Sequence, residues 1–500
     1  MEITLDYGTE GLALDLPDDC TVILPEDAPA VPDLPAALRR ALREPVAGPP
    51  LADLVRKIAT TETSAEHRAG RAVGPAGAPT TASPSIKPPG PRGTPLRVAI
   101  SVCDSTRPHP RREVLAAFLD ELAAAGFVIG APPGAAAAGG ADRYPGPETA
   151  GSANPASGLR LAAEVTVIVA AGTHRADPPE IIREMLGDEV LRRCRVHIHD
   201  CRSRDDQVGL GTVSPPGDAG DIPVFLDRRW VEADLRLSTG LVEPHLFAGF
   251  SGGPKLVSPG LASLETVLAL HNGRRVGHPH ATWGILEGNP AHDAIRAVAE
   301  TCPPHFTLEV VLDSAKRVTH VFAGTPWSAH KAACAVAERT TMRPVDRRFP
   351  LVITTSGGYP LDQNLYQAVK GVSAAERIVT DGGTIILAAE CRYGLPDPAM
   401  YTGLLRPDED IRLANARILA TDEVLPDQWQ VQVQARIQAR ARVLVKASGL
   451  TREELAIARL EPVDDIAAFV RAARAADPTL PIAVLPHGPY CVPYHAGGAT

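Results

Sequence analysis

The stretch LRVAISVCDSTRP, residues 96–108, decides the fold class of this chain. Its first part, Leu96–Cys103, is an apolar run of strand length that suits burial on both faces of a sheet. A helical pattern follows over Arg112–Ala125, and its large apolar side chains share one face: Leu115, Phe118, Leu119 and Leu122. A buried strand that leads into an amphipathic helix predicts a parallel sheet covered by helices.

The same alternation of strand-like and helix-like segments continues along the chain. Further strands are predicted at Val165–Ala171, Asp234–Ser238, Leu308–Leu312, Val318–Phe322, Leu351–Thr355, Thr384–Ala388 and Ile482–Leu485. Further helices are predicted at Pro179–Leu186, Leu261–His271, Ala291–Glu300, Ser328–Arg339, Gln363–Gly371 and Ile466–Ala475. The pattern predicts an α/β fold in which two domains with mainly parallel sheets face each other across a cleft.

Composition suggests how the chain is divided. Two segments, about 59–93 and 131–158, consist largely of Pro, Gly, Ala, Ser and Thr, which predicts flexible inserts. The polar stretch Arg339–Arg348 predicts a domain boundary. We therefore expect an N-terminal catalytic and cofactor-binding domain (1–340), a C-terminal α/β domain (341–480) and a final segment (481–500) that returns to the N-terminal domain.

Charge and composition exclude several classes of protein. The 500 residues are 44% apolar and carry a net charge of −9, which argues against a disordered chain and against a nucleic-acid-binding protein. No apolar stretch approaches the roughly 18 residues of a membrane span, and the N-terminus does not resemble a signal peptide. The eight cysteines form no CxxC pair, as expected for reduced thiols in a cytoplasmic protein.

Four polar motifs come directly after predicted strands. They are DSTRP (Asp104–Pro108), GTHR (Gly172–Arg175), EPHLFAGFSGGPKLVSPG (Glu243–Gly260) and SGGYPLDQNLYQAVKG (Ser356–Gly371). Open α/β sheets bind ligands beyond the carboxyl ends of their strands. The four motifs therefore predict one shared site.

Three simpler interpretations of the sequence fail. GFSGGPK is not a Walker phosphate loop, because Pro254 precedes Lys255 and Leu256 follows it, although its glycines still allow a ligand close to the backbone. The first strand leads into DSTRP rather than the GxGxxG of a dinucleotide-binding dehydrogenase. CRVHIHDC (194–201) alternates along a predicted strand, which makes zinc binding a poor interpretation.

Taken in order, the motifs resemble the nickel-dependent lactate racemase family, whose members racemise or epimerise 2-hydroxy acids. The resemblance lies in DSTRP, GTHR, EPH with Lys255 ten residues after its histidine, His271, and GYP followed by YQAVK. It continues through HPHATWGILEGNP (278–290) and DQWQ (427–430) and covers the chain from about residue 96, apart from the second insert. It implies an isomerase.

The family resemblance also implies a cofactor and roles for individual residues. The cofactor is nickel held by a pincer nucleotide, a pyridinium thioamide/thiocarboxylate mononucleotide, through one carbon and two sulfurs. By position, Lys255 would tether the nucleotide, His271 would bind nickel, and His174 and His245 would act as acid and base. The remaining implied site residues are Asp104, Ser251, Gly252 and Gly253 at the cofactor, and Arg107, Tyr366, Gln367, Lys370 and Trp429 at the substrate. The implied partners are a small hydroxy acid and the cofactor-synthesis enzymes.

The chemistry of racemisation agrees with these residue types. The C–H bond beside a carboxylate is too weakly acidic for an ordinary side-chain base, whereas removal of hydride gives a keto acid and needs an acceptor that no amino acid supplies. An imidazole with a pKa near about 6.5 suits transfer of the hydroxyl proton, and two enantiomers call for two such groups. Arginine binds a carboxylate through two parallel hydrogen bonds, which suits Arg107.

Two alternatives remain open on the sequence. One is the same scaffold acting on a sugar acid or a dicarboxylic hydroxy acid, and the other is a non-catalytic nickel- or nucleotide-binding protein. The stretch AECRYGLPDPAMY (389–401) departs from the Glu-Gly-x-Gly-like turn expected of close relatives. We expect Arg392, Tyr393 and Pro396 to reshape the pocket wall.

Overall fold

A computed structural model describes residues 1–60, 95–130, 161–215, 220–406 and 408–497. Almost all of the two predicted inserts, at about 59–93 and 131–158, lies outside these residues. Within the described part of the chain, no helix combines the length and apolar character that a membrane crossing requires.

The described residues form twenty-one strands and fifteen α-helices. The strands are β1 (Glu2–Leu5), β2 (Leu12–Asp15), β3 (Thr21–Val22), β4 (Leu96–Cys103), β5 (Phe127–Ile129), β6 (Leu161–Ala170), β7 (Arg195–Ile198), β8 (Gln207–Val213), β9 (Ile222–Asp227), β10 (Leu235–Leu241), β11 (Pro244–His245), β12 (Gly249–Phe250), β13 (Phe306–Leu312), β14 (Val318–Gly324), β15 (Met342–Val345), β16 (Phe349–Thr355), β17 (Val379–Ala388), β18 (Arg442–Lys446), β19 (Glu461–Pro462), β20 (Ile482–Leu485) and β21 (Val492–His495). The helices are α1 (Leu34–Arg43), α2 (Leu51–Thr60), α3 (Arg111–Ala124), α4 (Pro179–Arg193), α5 (Arg228–Val231), α6 (Leu264–Leu270), α7 (Gly273–Val276), α8 (Pro290–Glu300), α9 (Pro326–Thr341), α10 (Leu365–Glu376), α11 (Pro398–Leu404), α12 (Ile411–Leu419), α13 (Gln428–Gln438), α14 (Arg452–Ile457) and α15 (Ile466–Ala476).

The first sheet contains seven strands around β4. Its order is β14-β13-β10-β4-β6-β5, with β7 also paired to β6, and only the β13–β14 pair is antiparallel. The apolar side chains of β4, β6 and β10 are buried against α1, α2, α3 and α4. This sheet supplies the ends from which DSTRP, GTHR and the EPH motif emerge.

The second sheet has the order β19-β18-β17-β16-β20-β3 and is parallel throughout. Helix α10 packs against β16 and β17 and carries the YQAVK motif. Two mainly parallel sheets with helices on their faces confirm the predicted α/β class.

Sheet membership at the two ends of the chain differs from our expectation. Strand β3 pairs with β20, and Leu5 and Leu14 are buried in the core of the second sheet, so residues 1–22 do not belong with the first sheet. Strand β20 pairs with β16, so the final segment does not return to the N-terminal sheet either. Short apolar strands such as IAVL carry no information about which sheet edge they join, because partner choice depends on tertiary packing.

Most predicted elements are present with shifted bounds, and several helices, including α12, α13 and α14, were not predicted. The predicted helix Leu261–His271 begins later, at Leu264, where the Ser263 hydroxyl caps the backbone N–H of Thr266. Helix α13 was not predicted, because its glutamines look polar although they are buried. Gln432 and Gln434 donate from Nε2 to the carbonyls of Gly273 and Ala458, at 2.8 and 2.6 Å.

Candidate active site

A cavity between the two sheets brings together the motifs that were predicted to meet. Twelve of the thirteen predicted site residues line it: Asp104, Arg107, His174, His245, Ser251, Gly252, Lys255, His271, Tyr366, Gln367, Lys370 and Trp429. Gly253 is not among the lining residues; it lies two positions before Lys255, in the same short 3-10 turn, Gly253–Leu256. The cavity thus combines residues that follow strands of the first sheet with residues of α10 and α13, separated by as many as 325 positions.

The turn after β4 orients His174. His174 Nδ1 lies 2.6 Å from Asp104 Oδ2, while Asp104 Oδ1 accepts from the Thr106 hydroxyl at 2.6 Å. Burial alone would raise the pKa of Asp104, but His174, Thr106 and Arg107 outweigh it and hold this pKa well below its ordinary value. Since an ionised carboxylate only accepts, Nδ1 carries a proton, and the second nitrogen, Nε2, is the atom of His174 that can exchange a proton with a ligand.

Lys255 and His245 are in direct contact. Lys255 Nζ lies 3.2 Å from His245 Nε2, and His245 Nδ1 accepts from the backbone N–H of Ala248 at 3.3 Å. Burial, with help from the Arg107 charge, lowers the pKa of Lys255 to about 7. Burial and the neighbouring Lys255 likewise hold the pKa of His245 well below its ordinary value. A large fraction of Lys255 is therefore a neutral, nucleophilic amine near neutral pH.

Two glycines let the Lys255 loop pass close to a buried carboxylate. Gly252 and Gly253 have φ of +70° and +50°, a region that favours glycine. A Cβ on Gly253 would lie 2.4 Å from His330 Cγ, and one on Gly252 would lie 2.7 Å from Glu309 Oε2. The N–H of Gly253 donates to Glu309 Oε1 at 3.0 Å. Larger residues at either position would push the lysine loop away from its support.

His271 ends helix α6 with one ring nitrogen already in use. Its Nδ1 lies 2.7 Å from the carbonyl oxygen of Val267, which can only accept, so Nδ1 is protonated. Nε2 therefore keeps its lone pair, and it makes no hydrogen bond to a described residue. Burial lowers the pKa of His271 to about 4, and its ring lies 4.1 Å from the Trp429 ring. A neutral imidazole oriented by a backbone carbonyl has the form of a metal ligand.

Arg107 is held by a residue that we did not predict. Arg107 Nε lies 3.1 Å from Glu243 Oε1, and Nη1 donates to the Thr106 hydroxyl at 3.1 Å. Glu243 is fixed in turn, since its backbone N–H donates to Ser251 Oγ and its carbonyl accepts from Ser251 N–H. Glu243 stands in the EPH motif beside a predicted base, and that position was the signal that could have identified it.

Helix α10 presents its side chains from the opposite domain. Lys370 Nζ donates to Gln367 Oε1 at 2.6 Å, and burial together with the Arg107 charge holds the pKa of Lys370 well below its ordinary value. The Tyr366 hydroxyl accepts from Trp429 Nε1 at 2.9 Å. Tyr366, Gln367 and Lys370 therefore line the cavity from one face of α10.

Glu309 is a second residue that sequence reasoning missed. It is fully buried on β13, where burial raises its pKa to about 7, and its Oε2 accepts from no described residue. The sequence feature that could have identified Glu309 was a single acidic residue in the mainly apolar strand FTLEVVL. Because Glu309 accepts the N–H of Gly253, we expect the conformation of the Lys255 loop to depend on whether Glu309 is ionised.

Two expectations from the sequence concern residues that lie outside the cavity. Arg392, Tyr393 and Pro396 do not line the cavity, so the expectation that they shape its wall is wrong. Arg392 pairs with Glu390 at 2.7 Å after the chain turns away at Cys391. The CRVHIHDC histidines both approach Asp227, and the described residues hold no group of three His, Cys, Asp or Glu side chains suited to a metal ion.

Comparison with known proteins identifies the family. The sequence matches the models described as Lactate racemase N-terminal domain (residues 157–284) and Lactate racemase C-terminal domain (residues 346–492). A lactate racemase from Thermoanaerobacterium thermosaccharolyticum is 35% identical over 318 residues, which cover 63% of this chain and 72% of that protein. A lactate racemase from Lactiplantibacillus plantarum is 36% identical over 284 residues, or 56% of this chain and 65% of that protein.

Solved structures agree with the sequence matches. The lactate racemase apoprotein from T. thermosaccharolyticum aligns with a TM-score of 0.75 and 28% identity, covering 99% of this chain and all of that one. A protein from Thermotoga maritima aligns at a TM-score of 0.59 and 19% identity, covering 80% of this chain and 94% of that one, which shows a shared fold alone. The cavity, the two matched domains and the curated relatives lead to one conclusion: this chain belongs to the lactate racemase family of isomerases.

Proposed function

We propose that this chain racemises or epimerises a short 2-hydroxy acid with a nickel-pincer nucleotide tethered to Lys255. The observation that carries the proposal is the single cavity lined by Lys255, His271, His174, His245 and Arg107. The relatives are named lactate racemases, which makes lactate the first substrate to test. Sugar acids and dicarboxylic hydroxy acids are the next class.

The residues present fit such a cofactor. His271 offers one imidazole lone pair, and because the described residues hold no three-ligand metal cluster, the other donors would come from the nucleotide itself. Lys255 would hold the nucleotide through its buried amine, and the Gly252–Gly253 turn brings backbone close to it. When bound, the cofactor supplies the hydride acceptor that no side chain provides.

The two histidines divide the proton transfer in this proposal. His174, held by ionised Asp104 through Nδ1, takes the hydroxyl proton of one enantiomer at Nε2. His245 serves the other enantiomer at Nε2 once its ring proton has moved to Nδ1, because the resting contacts of Nδ1 with backbone N–H groups place that proton on Nε2. The other histidine then donates a proton of its own to the keto oxygen, and the first histidine releases the proton that it took, which completes the inversion.

Three polar side chains bind and orient the substrate. Arg107 is pinned through Nε and Nη1, so Nη2 is left to engage the substrate carboxylate. Lys370 and Gln367 approach from α10 and contact the same end of the substrate. Gln367 and Lys370 are buried, which strengthens their polar contacts.

Production with the cofactor-synthesis enzymes tests the proposal. Intact-mass and peptide spectrometry should find a sulfur-rich nucleotide adduct on Lys255, together with about one nickel per adduct, and the protein should interconvert the enantiomers of a 2-hydroxy acid. Lys255→Ala should lose the adduct, whereas Lys331→Ala, an exposed lysine, should keep it. Loading without an adduct at Lys255, or a loaded protein inactive on lactate and on the sugar and dicarboxylic hydroxy acids, would overturn the proposal.

A further inference from the structure

A second cavity, whose lining residues differ from those of the active site, is rich in arginine. We call it the arginine cleft; its volume is about 1120 Å³. Six arginines line it, against four acidic residues, in a chain whose net charge is −9: Arg339, Arg343, Arg348, Arg377, Arg436 and Arg440. Such a local excess of positive charge runs against the global field and indicates a site for an anion.

Four arginines of the cleft surround one carboxylate. Glu376 Oε2 accepts from Arg436 Nη2 at 2.9 Å, and Glu376 Oε1 lies 3.7 Å from Arg440 Nη1. Arg377 and Arg348 complete the group, and burial together with the Arg348 and Arg436 charges lowers the pKa of Arg377. Arg440 also reaches the exposed Asp381, at 2.6 Å. Even with that pair, positive charge exceeds negative charge at this point.

Hydrogen-bonding groups at the centre remain unused. Arg377 donates from Nε to the Pro493 carbonyl and from Nη1 to the Thr282 hydroxyl, at 3.1 and 3.2 Å, which leaves Nη2 without a described partner. Arg436 Nε is buried and has no partner among the described residues. Arg348, at the rim, donates to the Val379 carbonyl and to no other described residue. An unpaired buried donor such as Arg436 Nε is costly, and the unpaired N–H groups of Arg377 and Arg348 line the cleft, so these arginines point to an anionic ligand.

The walls of the cleft supply apolar surface beside the charges. Trp283 and Met342 line it, and its volume suits a small organic molecule rather than a single ion. Guanidinium groups bind phosphate and carboxylate through planar pairs of hydrogen bonds.

We propose that the arginine cleft binds a small polyanion, a molecule with two or more closely spaced phosphate or carboxylate groups. Arg377 and Arg436 bind the anionic groups, Arg348 and Arg440 lie at the rim, and the apolar wall packs against the rest of the molecule. The arginine cleft is a different cavity from the active site, and binding there does not depend on the proposed reaction.

Trp283 lines both the arginine cleft and a small pocket beside the active site, and it provides a signal. It shares that small pocket with Arg107, His245 and Lys370. Its Nε1 donates to the Ser373 hydroxyl on α10, the helix that carries Lys370 and ends at Glu376. A ligand at the end of α10 is therefore expected to change the fluorescence of Trp283.

Titration of the full-length chain with inorganic pyrophosphate, at constant ionic strength, tests the proposal. Calorimetry and tryptophan fluorescence should both report saturable binding, and Trp283→Phe should remove the fluorescence change. Citrate in a parallel titration distinguishes a polycarboxylate from a phosphate ligand. Potassium chloride at matched ionic strength measures screening alone.

Variants locate the binding. The double change Arg377→Gln and Arg436→Gln should weaken pyrophosphate at least tenfold, the effect of about one lost charge-assisted hydrogen bond. Arg452→Gln with Arg471→Gln removes the same charge from exposed positions and should change nothing. If the first pair unfolds the protein, Arg348→Gln with Arg440→Gln at the rim replaces it. Absence of saturable binding by both probes, or equal losses in the cleft and control variants, would overturn the proposal.

Discussion

Glu243 Oε1 lies 3.1 Å from Arg107 Nε, and this pair sets the direction of the guanidinium in the active-site cavity. The side chains of both residues are largely buried. Ser251 anchors Glu243 through two backbone contacts, so the position of Arg107 depends on the same loop that carries Lys255. In the proposed function, substrate binding and cofactor placement are thus linked through a carboxylate that need not touch either group.

The first prediction concerns this pair. Glu243→Ala should raise KM for the hydroxy acid at least tenfold, because Arg107 loses its orientation, whereas Glu243→Gln keeps an acceptor for Nε and should retain most of the affinity. Steady-state kinetics that separate KM from kcat provide the measurement. Glu287→Ala, at an exposed position, is the control. Equal KM values in all three variants would rule out a positioning role for Glu243.

The second prediction concerns the pH dependence of cofactor attachment. Only the neutral amine of Lys255 is nucleophilic, and its pKa is lowered to about 7, so the rate of adduct formation should rise as pH increases through that value and then level off. About one pH unit below the pKa, roughly a tenth of the amine is neutral. Lys255→Arg should form no adduct at any pH. Time-resolved mass spectrometry checks this, and a flat rate would contradict it.

The third prediction separates the metal from the tether. His271→Ala should keep the adduct on Lys255 and lose nickel affinity by at least tenfold, since changes in groups that merely orient a ligand cost about 10–100-fold. Nickel per adduct, measured by elemental analysis after dialysis, is the readout. His278→Ala removes an exposed imidazole nearby and should leave nickel unchanged. A full nickel content in the His271 variant would show that its free Nε2 is not a ligand.

The fourth prediction concerns the division of work between His174 and His245. Each alanine variant should lose racemisation in both directions at steady state, because a full cycle uses both groups. In single turnovers, each variant should still oxidise the enantiomer that its remaining histidine serves, with a difference of about 10²–10⁴-fold between enantiomers. Rapid mixing with each enantiomer, followed by trapping of the keto acid, makes the measurement. The same loss for both enantiomers in both variants would refute the division.

The fifth prediction concerns stability. Burial raises the pKa of Glu309 from 4.5 to about 7, so between these values the unfolded state releases a proton that the folded state keeps. The free energy of unfolding should therefore fall by up to about 3 kcal/mol as pH rises from 4.5 to 7, and this loss should be absent in Glu309→Gln. Urea unfolding at several pH values compares the two proteins. Parallel pH profiles would place the effect on other groups.

Several parts of the fold and site followed from local pattern. The β4 run and the amphipathic helix after it predicted a parallel α/β sheet, because burial on both faces demands apolar residues at every position. The motifs after β4, β6 and β10 predicted a shared cavity, because parallel strands end on the same edge. The buried glutamines of α13 were missed, because only their tertiary partners on other segments satisfy them.

The sequence by itself determined the fold class, the family resemblance and the residue types available for chemistry, since these depend on periodicity and on motifs a few residues long. Only the tertiary structure decided that β3 and β20 complete the second sheet, that Glu243 holds Arg107, and that Glu309 lies under the Lys255 loop. It also decided that Arg392 lies away from the cavity. The physical reason is that ion pairs, sheet edges and pKa shifts depend on distances between residues far apart in the chain, and local sequence does not encode those distances.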